Sequence, residues 1–212
     1  MIPVILGTVA AGLLLIGRMD RVIKPTTKIM AGVLAAGLAG NGLLEALFGP
    51  GEFFSRLFLA LIMGCMLLAC VTDVVMYQVY DFVWWLSGAA SAMLLWARLW
   101  MENDIRNGLG ILFGLAAFWI VQFRVFGKLY GKADCYAFCV CAAAEAGLGM
   151  GPELIVSHMV FAYGTLVSIQ FFCKNITLRG NLKKPVAFIP YITVGFYLLL
   201  LFRKIYGEIV VP

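Results

Sequence analysis

The sequence predicts an all-α, polytopic transmembrane bundle of about eight helices, and three observations carry that reading. Hydrophobic residues make up 63% of the 212 and charged residues 13%, for a mean hydropathy of +0.98. A soluble domain of this length cannot hide so much apolar surface, whereas a bilayer accepts it as helices of roughly 17–25 residues. The apolar residues fall into eight runs, 2–16, 29–48, 57–72, 82–100, 109–126, 135–148, 154–173 and 186–202. Finally, the basic residues concentrate in alternate loops, as they do in a chain that crosses a membrane repeatedly. No interval between runs could hold a separate soluble domain.

Run one opens Met-Ile-Pro-Val without a basic flank and is followed by Arg18, Arg21, Lys24 and Lys28. It reads as a retained helix with its N-terminus outside, not as a cleaved signal. Run two places Asn41 and Glu45 four apart, where both are expected to hydrogen-bond to a neighbouring helix. Run three ends at Asp73, in "LLACVTDVVMYQVYDF". Run four carries Trp84, Trp85 and Trp100 near its ends, expected as interfacial anchors. Run five ends in a basic stretch with Arg124, Lys128 and Lys132. Run six is short, rich in Cys, Ala and aromatics, and begins directly after Asp134. "GLGMGP" at 147–152 reads as a turn. Run seven holds the single histidine, His158, expected to hydrogen-bond inside the bundle. Run eight follows the basic stretch that ends at Lys184.

The six cysteines, Cys65, Cys70, Cys135, Cys139, Cys141 and Cys173, all lie in or beside apolar runs. There is no CxxC pair and His158 sits in another run, so they read as soft packing residues; neither a metal nor any other cofactor is implied.

Eleven of the 16 Lys and Arg lie in the loops after runs one, five and seven. The positive-inside rule makes the loops after runs one, three, five and seven cytoplasmic and puts both termini outside. The net charge of +5 is mostly this bias, and it argues for contact with anionic lipid head groups and not with nucleic acid. The sequon at 175–177 falls in a cytoplasmic loop and is discounted. On this map Glu52, Glu102, Asp104, Glu153 and Glu208 are external, and Glu45 and Glu145 lie in outer portions of their runs. Four acids remain on the cytoplasmic side: Asp20, Asp73, Asp81 and Asp134. Asp20 has basic neighbours and reads as solvated. Asp73 ends an inward run and Asp134 starts an outward one, so two carboxylates distant in sequence reach one membrane depth.

Ionisable groups at membrane depth are rare and usually functional. Two adjacent aspartates cannot both ionise comfortably and so share one proton. The ionised member can take a proton from water while the protonated one polarises a peptide carbonyl, which hydrolyses an amide without a covalent intermediate. No Ser-His or Cys-His pairing, HExxH or GxxxxGK[ST] motif offers another chemistry. Gly131 and Ala133 flank Lys132 just before Asp134, and small residues there let an extended backbone approach. The structural alternative is that Asp134 caps the amides of its own helix.

With these residues in view, the sequence resembles the type IV prepilin peptidases and the related preflagellin peptidases, intramembrane aspartic proteases with a Gly-x-Gly-Asp motif. That motif is matched by "GKAD" at 131–134, with Ala133 in place of the second glycine. The family's first aspartate stands in a pattern like Asp-x6-Pro-Asn; "DVVMYQVYD" matches it at Asp73, with Tyr80 and Asp81 in place of Pro and Asn. A Pro-Phe-Gly-Pro-Phe-like stretch is similar to "KPVAFIPYITVG" through Phe188 and Pro190. The resemblance covers about residues 53–207 and implies a six-helix catalytic core over 53–212, preceded by two helices over 1–52. It implies Asp73 and Asp134 as catalytic residues, with Gly131, Lys132, Ala133, Asp81, Phe188 and Pro190 shaping the site. It further implies a multi-pass plasma-membrane enzyme, active at the cytoplasmic face, that removes basic leaders from prepilins or pseudopilins. The cysteine-bearing cytoplasmic insertion of many bacterial members has no counterpart, which implies cleavage without N-methylation. Two other readings stand beside this one. A signal-peptide-peptidase or presenilin-like protease would use Asp81, in "VYD", with Asp134. A non-enzymatic transporter or assembly subunit would use the acids to bind protons or cations. Oligomeric state is left open.

Overall fold

The computed structural model describes residues 1–20, 26–49, 52–102, 104–174 and 186–210. Within them the chain is an all-α bundle without strands. Its helices are α1 (Ile2–Asp20), α2 (Thr27–Leu47), α3 (Phe53–Met76), α4 (Asp81–Glu102), α5 (Ile105–Arg124), α6 (Lys132–Gly147), α7 (Pro152–Lys174) and α8 (Ile189–Val210). A single 3-10 turn, Phe126–Lys128, follows α5. Each apolar run forms the body of one helix. Five helices, α2, α3, α4, α7 and α5 with its trailing turn, are long and apolar enough to cross a membrane. The outward faces are apolar too, with Leu14, Phe54, Trp85, Phe113 and Phe172 exposed, as expected where the neighbour is lipid and not water. Arg21, Lys24, Arg179, Lys183, Lys184 and the 175–177 sequon lie outside the described residues.

Local chemistry sets the helix ends. Asp104 caps α5 by accepting from the amides of Arg106 (3.0 Å) and Asn107 (3.1 Å), and Thr26 caps α2 through Ile29 N, so orphan donors of each first turn find partners. α3 stops at Tyr77, which takes a left-handed conformation (φ 53°) while its amide still bonds Asp73 O at 2.9 Å. A β-carbon disfavours that conformation, so the helix cannot continue through it. Between α6 and α7 the turn foreseen at "GLGMGP" forms with Gly149 at φ 87°.

α3 is the central helix: most of residues 59–73 are buried, against α1, α2, α4 and α8. Small residues permit the close crossings. A methyl group on Gly64 would meet Thr8 Cβ of α1 at 2.8 Å, one on Gly147 would meet Leu95 N of α4 at 2.8 Å, and one on Gly195 would meet Ala162 N of α7 at 2.9 Å. Helices in lipid gain little from apolar burial against one another, so backbone approach of this kind supplies much of their packing attraction. By contrast, only Gly108 and Gln122 of α5 are buried, which leaves it on the rim.

Two sequence expectations change here. Trp84 is not an interfacial anchor. It is buried in the bundle and stacked on Tyr136 at 6.1 Å, while Trp85 and Trp100 remain exposed, because successive helix residues point about 100° apart and only one of the pair can face outward. Glu45 does reach a neighbouring helix, forming an ion pair with Arg56 of α3. Asn41 Oδ1 is instead buried without a hydrogen-bond partner among the described residues.

Candidate active site

Asp73 lies on the last turn of α3, on the face continued inward by Cys70 and Met66. Its side chain is buried, with 9% of the residue exposed. Carboxylate Oδ2 accepts from the amide of Ile189, the first residue of α8, at 3.1 Å. One turn inward, Cys70 Sγ and Thr193 Oγ1 are in contact at 3.1 Å, and Thr193 bonds back to Ile189 O at 3.0 Å. α3 and α8 are thus pinned together along one edge. Pro190 suits the first turn of α8, where a missing N–H leaves no intrahelical bond unmade.

Asp134 is the third residue of α6 and is also 9% exposed. Its Oδ2 reaches back to accept from the amide of Gly131 at 2.9 Å, half of a capping box. The capping role and the site role therefore coexist in this residue. Lys132, the first helical residue, is exposed, and Ala133 is half-buried against the core.

Phe188 brings the two carboxylates together. It precedes Ile189, whose amide Asp73 holds, and its buried ring packs on Tyr130 (5.7 Å), Tyr163 (5.2 Å) and Phe138 (6.0 Å), the aromatic cluster around the start of α6. The start of α8 thereby contacts Asp73 through its backbone and the Asp134 turn through its side chain. The start of α8 is thus the bridge between the two carboxylates, and neither has an ion-pair partner among the described residues. Tyr130 is held from behind: its hydroxyl donates to Gln122 Oε1, and Cys135 Sγ donates to Gln122 O at 3.3 Å. Burial, then the neighbouring Tyr163 phenol and Cys135 thiol, push the Tyr130 phenol above its usual range, so it stays a neutral donor.

Asp81 is elsewhere. It is the exposed first residue of α4 and lines a groove of about 770 Å³ between α4, α5 and α6 with Trp84, Trp85, Trp119 and Tyr136. Of the site residues read from the sequence, Asp73, Asp134, Gly131, Ala133 and Phe188 converge, with Pro190 just behind. Asp81 and Lys132 are exposed.

Sequence reasoning missed Tyr130, Tyr163 and Gln122. Tyr130 was legible in principle, being the residue immediately before the Gly131 turn. A polar Gln122 within an apolar run was a signal that something nearby needs a partner. Also missed was the pairing of Glu145 with His158 deeper in the bundle, at 2.7 Å with both residues buried. Among the described residues, no cluster of His, Cys, Asp and Glu suits a metal ion. No protein-family model, curated protein or solved structure matches this chain.

Proposed function

We propose that this chain is an intramembrane aspartic endopeptidase in which Asp73 and Asp134 form the catalytic pair. The observation that carries the reading is a pair of buried carboxylates, contributed by helices far apart in sequence and bridged by the start of α8, neither with an ion-pair partner among the described residues. Capping alone does not call for that. A neutral Asn or Ser caps as well as Asp, and two like charges side by side repel unless they share a proton.

In that shared state the ionised carboxylate takes a proton from water as the oxygen attacks the scissile carbonyl. The protonated carboxyl donates to the carbonyl oxygen as it gains charge, and the proton taken from water passes to the departing amide nitrogen. The capping bonds occupy Oδ2 of each aspartate, which orients Oδ1 for this work. The substrate class rests on the resemblance of "GKAD", "DVVMYQVYD" and "KPVAFIPYITVG" to prepilin peptidases: prepilin or pseudopilin precursors cut at the cytoplasmic membrane boundary. Against the presenilin-like alternative, Asp81 is exposed, whereas Asp73 and Asp134 are buried.

Co-expression with candidate prepilins, reading leader removal by gel shift, tests the proposal. Cleavage that persists in both Asp73→Asn and Asp134→Asn would end it. A proton- or cation-handling subunit remains the second reading, favoured by the buried Glu145–His158 pair. It is separated from the first by the absence of any cleavage.

A further inference from the structure

Glu145 lies on the same face of α6 as Asp134, three turns further along, since 11 residues at 1.5 Å rise place it about 16 Å away. It is 0% exposed and faces His158 of α7, 1% exposed, whose Nδ1 is 2.7 Å from Glu145 Oε1. The other ring nitrogen, Nε2, is 2.8 Å from the carbonyl of Ile192 on α8. That carbonyl belongs to the first turn of α8, three residues after Ile189, whose amide is held by Asp73.

The chemistry of these contacts fixes the protons. A peptide carbonyl only accepts, so Nε2 must carry a hydrogen. Glu145 Oε1 and Nδ1 are 2.7 Å apart, an ion-pair distance without hydrogen-bond alignment, and the pair then carries one proton, either as imidazolium facing carboxylate or as neutral imidazole beside a carboxylic acid. Both forms are neutral overall, which is what lets the pair lie buried in the bundle. The result is a series of links from α6, through α7, to the first turn of α8, whose backbone leads on to the Ile189 amide held by Asp73 of α3.

We propose that Glu145 and His158 are positioning residues that hold the first turn of α8 in register, and so set where Asp73 stands relative to Asp134. Its catalytic consequence rests on the proposed peptidase reading; the clamp itself does not. Phe196, in the next turn of α8, packs on the His158 ring at 5.9 Å, and Phe138 of α6 packs on it at 5.5 Å. The imidazole is therefore gripped by both helices that it joins. Gly195 keeps α8 close, because a methyl there would meet His158 Cδ2 at 3.1 Å and Ala162 N at 2.9 Å.

His158 is the only histidine in the chain, so histidine labelled with 15N reports on it alone in protein reconstituted in lipid. The expected spectrum shows Nε2 protonated in wild type and in Glu145→Gln. Nε2 without a proton in wild type would overturn the proposal, since the bond to Ile192 O could not exist. Glutamine can still donate to Nδ1, so Glu145→Gln should keep near-wild-type exchange at the Ile189 amide. Glu145→Ala and His158→Ala should speed that exchange by about tenfold or more through local opening of the α8 turn, with the amide of Leu44 on α2 unchanged. In the cleavage assay the alanine variants should lose about 100-fold in kcat, the order expected of a misplacement of about 1 Å, with KM little changed. Unaltered Ile189 exchange in both alanine variants overturns the clamp. A Glu145→Gln variant as defective as Glu145→Ala also overturns it, because charge and not register would then be what matters. If wild type cleaves no prepilin, the peptidase reading fails, while the spectrum and exchange still decide the clamp.

Discussion

At one end of the bundle Glu45 pairs with Arg56 and Glu102 with Arg98; at the other, Asp73 and Asp134 lie buried, neither with an ion-pair partner among the described residues. The first end also satisfies the close of α6, where Arg98 donates to Ala146 O. Those pairs stand partly in solvent reach, where each is worth about 0–1 kcal/mol. They orient helix ends at little energetic consequence either way. On the proposed reading, the second end keeps a repulsion that a shared proton relieves. On the proposed reading, the difference separates acids that pair helix ends from acids that carry chemistry.

The sharpest way to break this comparison is to replace each aspartate by asparagine. Asparagine keeps an oxygen for the Ile189 or Gly131 amide, so the caps survive while proton sharing is lost. Asp73→Asn and Asp134→Asn are each expected to lower leader cleavage by at least about 1,000-fold, with insertion and melting behaviour close to wild type. Activity within a few-fold of wild type in both variants would reduce the aspartates to caps.

The pH dependence comes next. One carboxyl must be protonated and the other ionised, so cleavage should fall at low pH as the second takes up its proton, and at high pH as the shared proton leaves. Initial rates across a pH series in lipid nanodiscs would show the bell. A flat profile through the acid limb would contradict a shared proton.

A smaller effect is expected at Asp81, on the exposed start of α4. Asp81→Asn should stay within about threefold of wild type in kcat/KM, as for a surface change away from the chemistry. Loss of cleavage there, with Asp73→Asn active, would move the catalytic pair to Asp81 and Asp134. Smallest of all is the paired end. Arg56→Ala should lower stability by less than about 1 kcal/mol in detergent unfolding and leave cleavage unchanged.

Much of this molecule was legible in one dimension. Apolar length and loop charge are sums over neighbours in sequence, so all eight helices followed from them, and so did Asp73 at the end of one and Asp134 at the start of another. The αL stop at Tyr77 and the late start of α8 at Ile189 were not legible, because both depend on what the chain meets after the apolar run. Trp84 and Trp85 make the point compactly: hydropathy reads them alike, yet one stacks inside on Tyr136 and the other faces out.

The sequence by itself determined the all-α bundle, the helix count, and the placing of one carboxylate at the end of a helix and another at the start of one. Tertiary structure decided their partners. That the Ile189 amide holds Asp73, that Phe188 packs on Tyr130 beside Asp134, and that Glu145 meets His158 all depend on the rotation and tilt of each helix about its axis. Those are set by side-chain packing between helices, through close approaches such as Gly147 against α4 and Gly195 against α7, and a count of apolar residues carries no information about them.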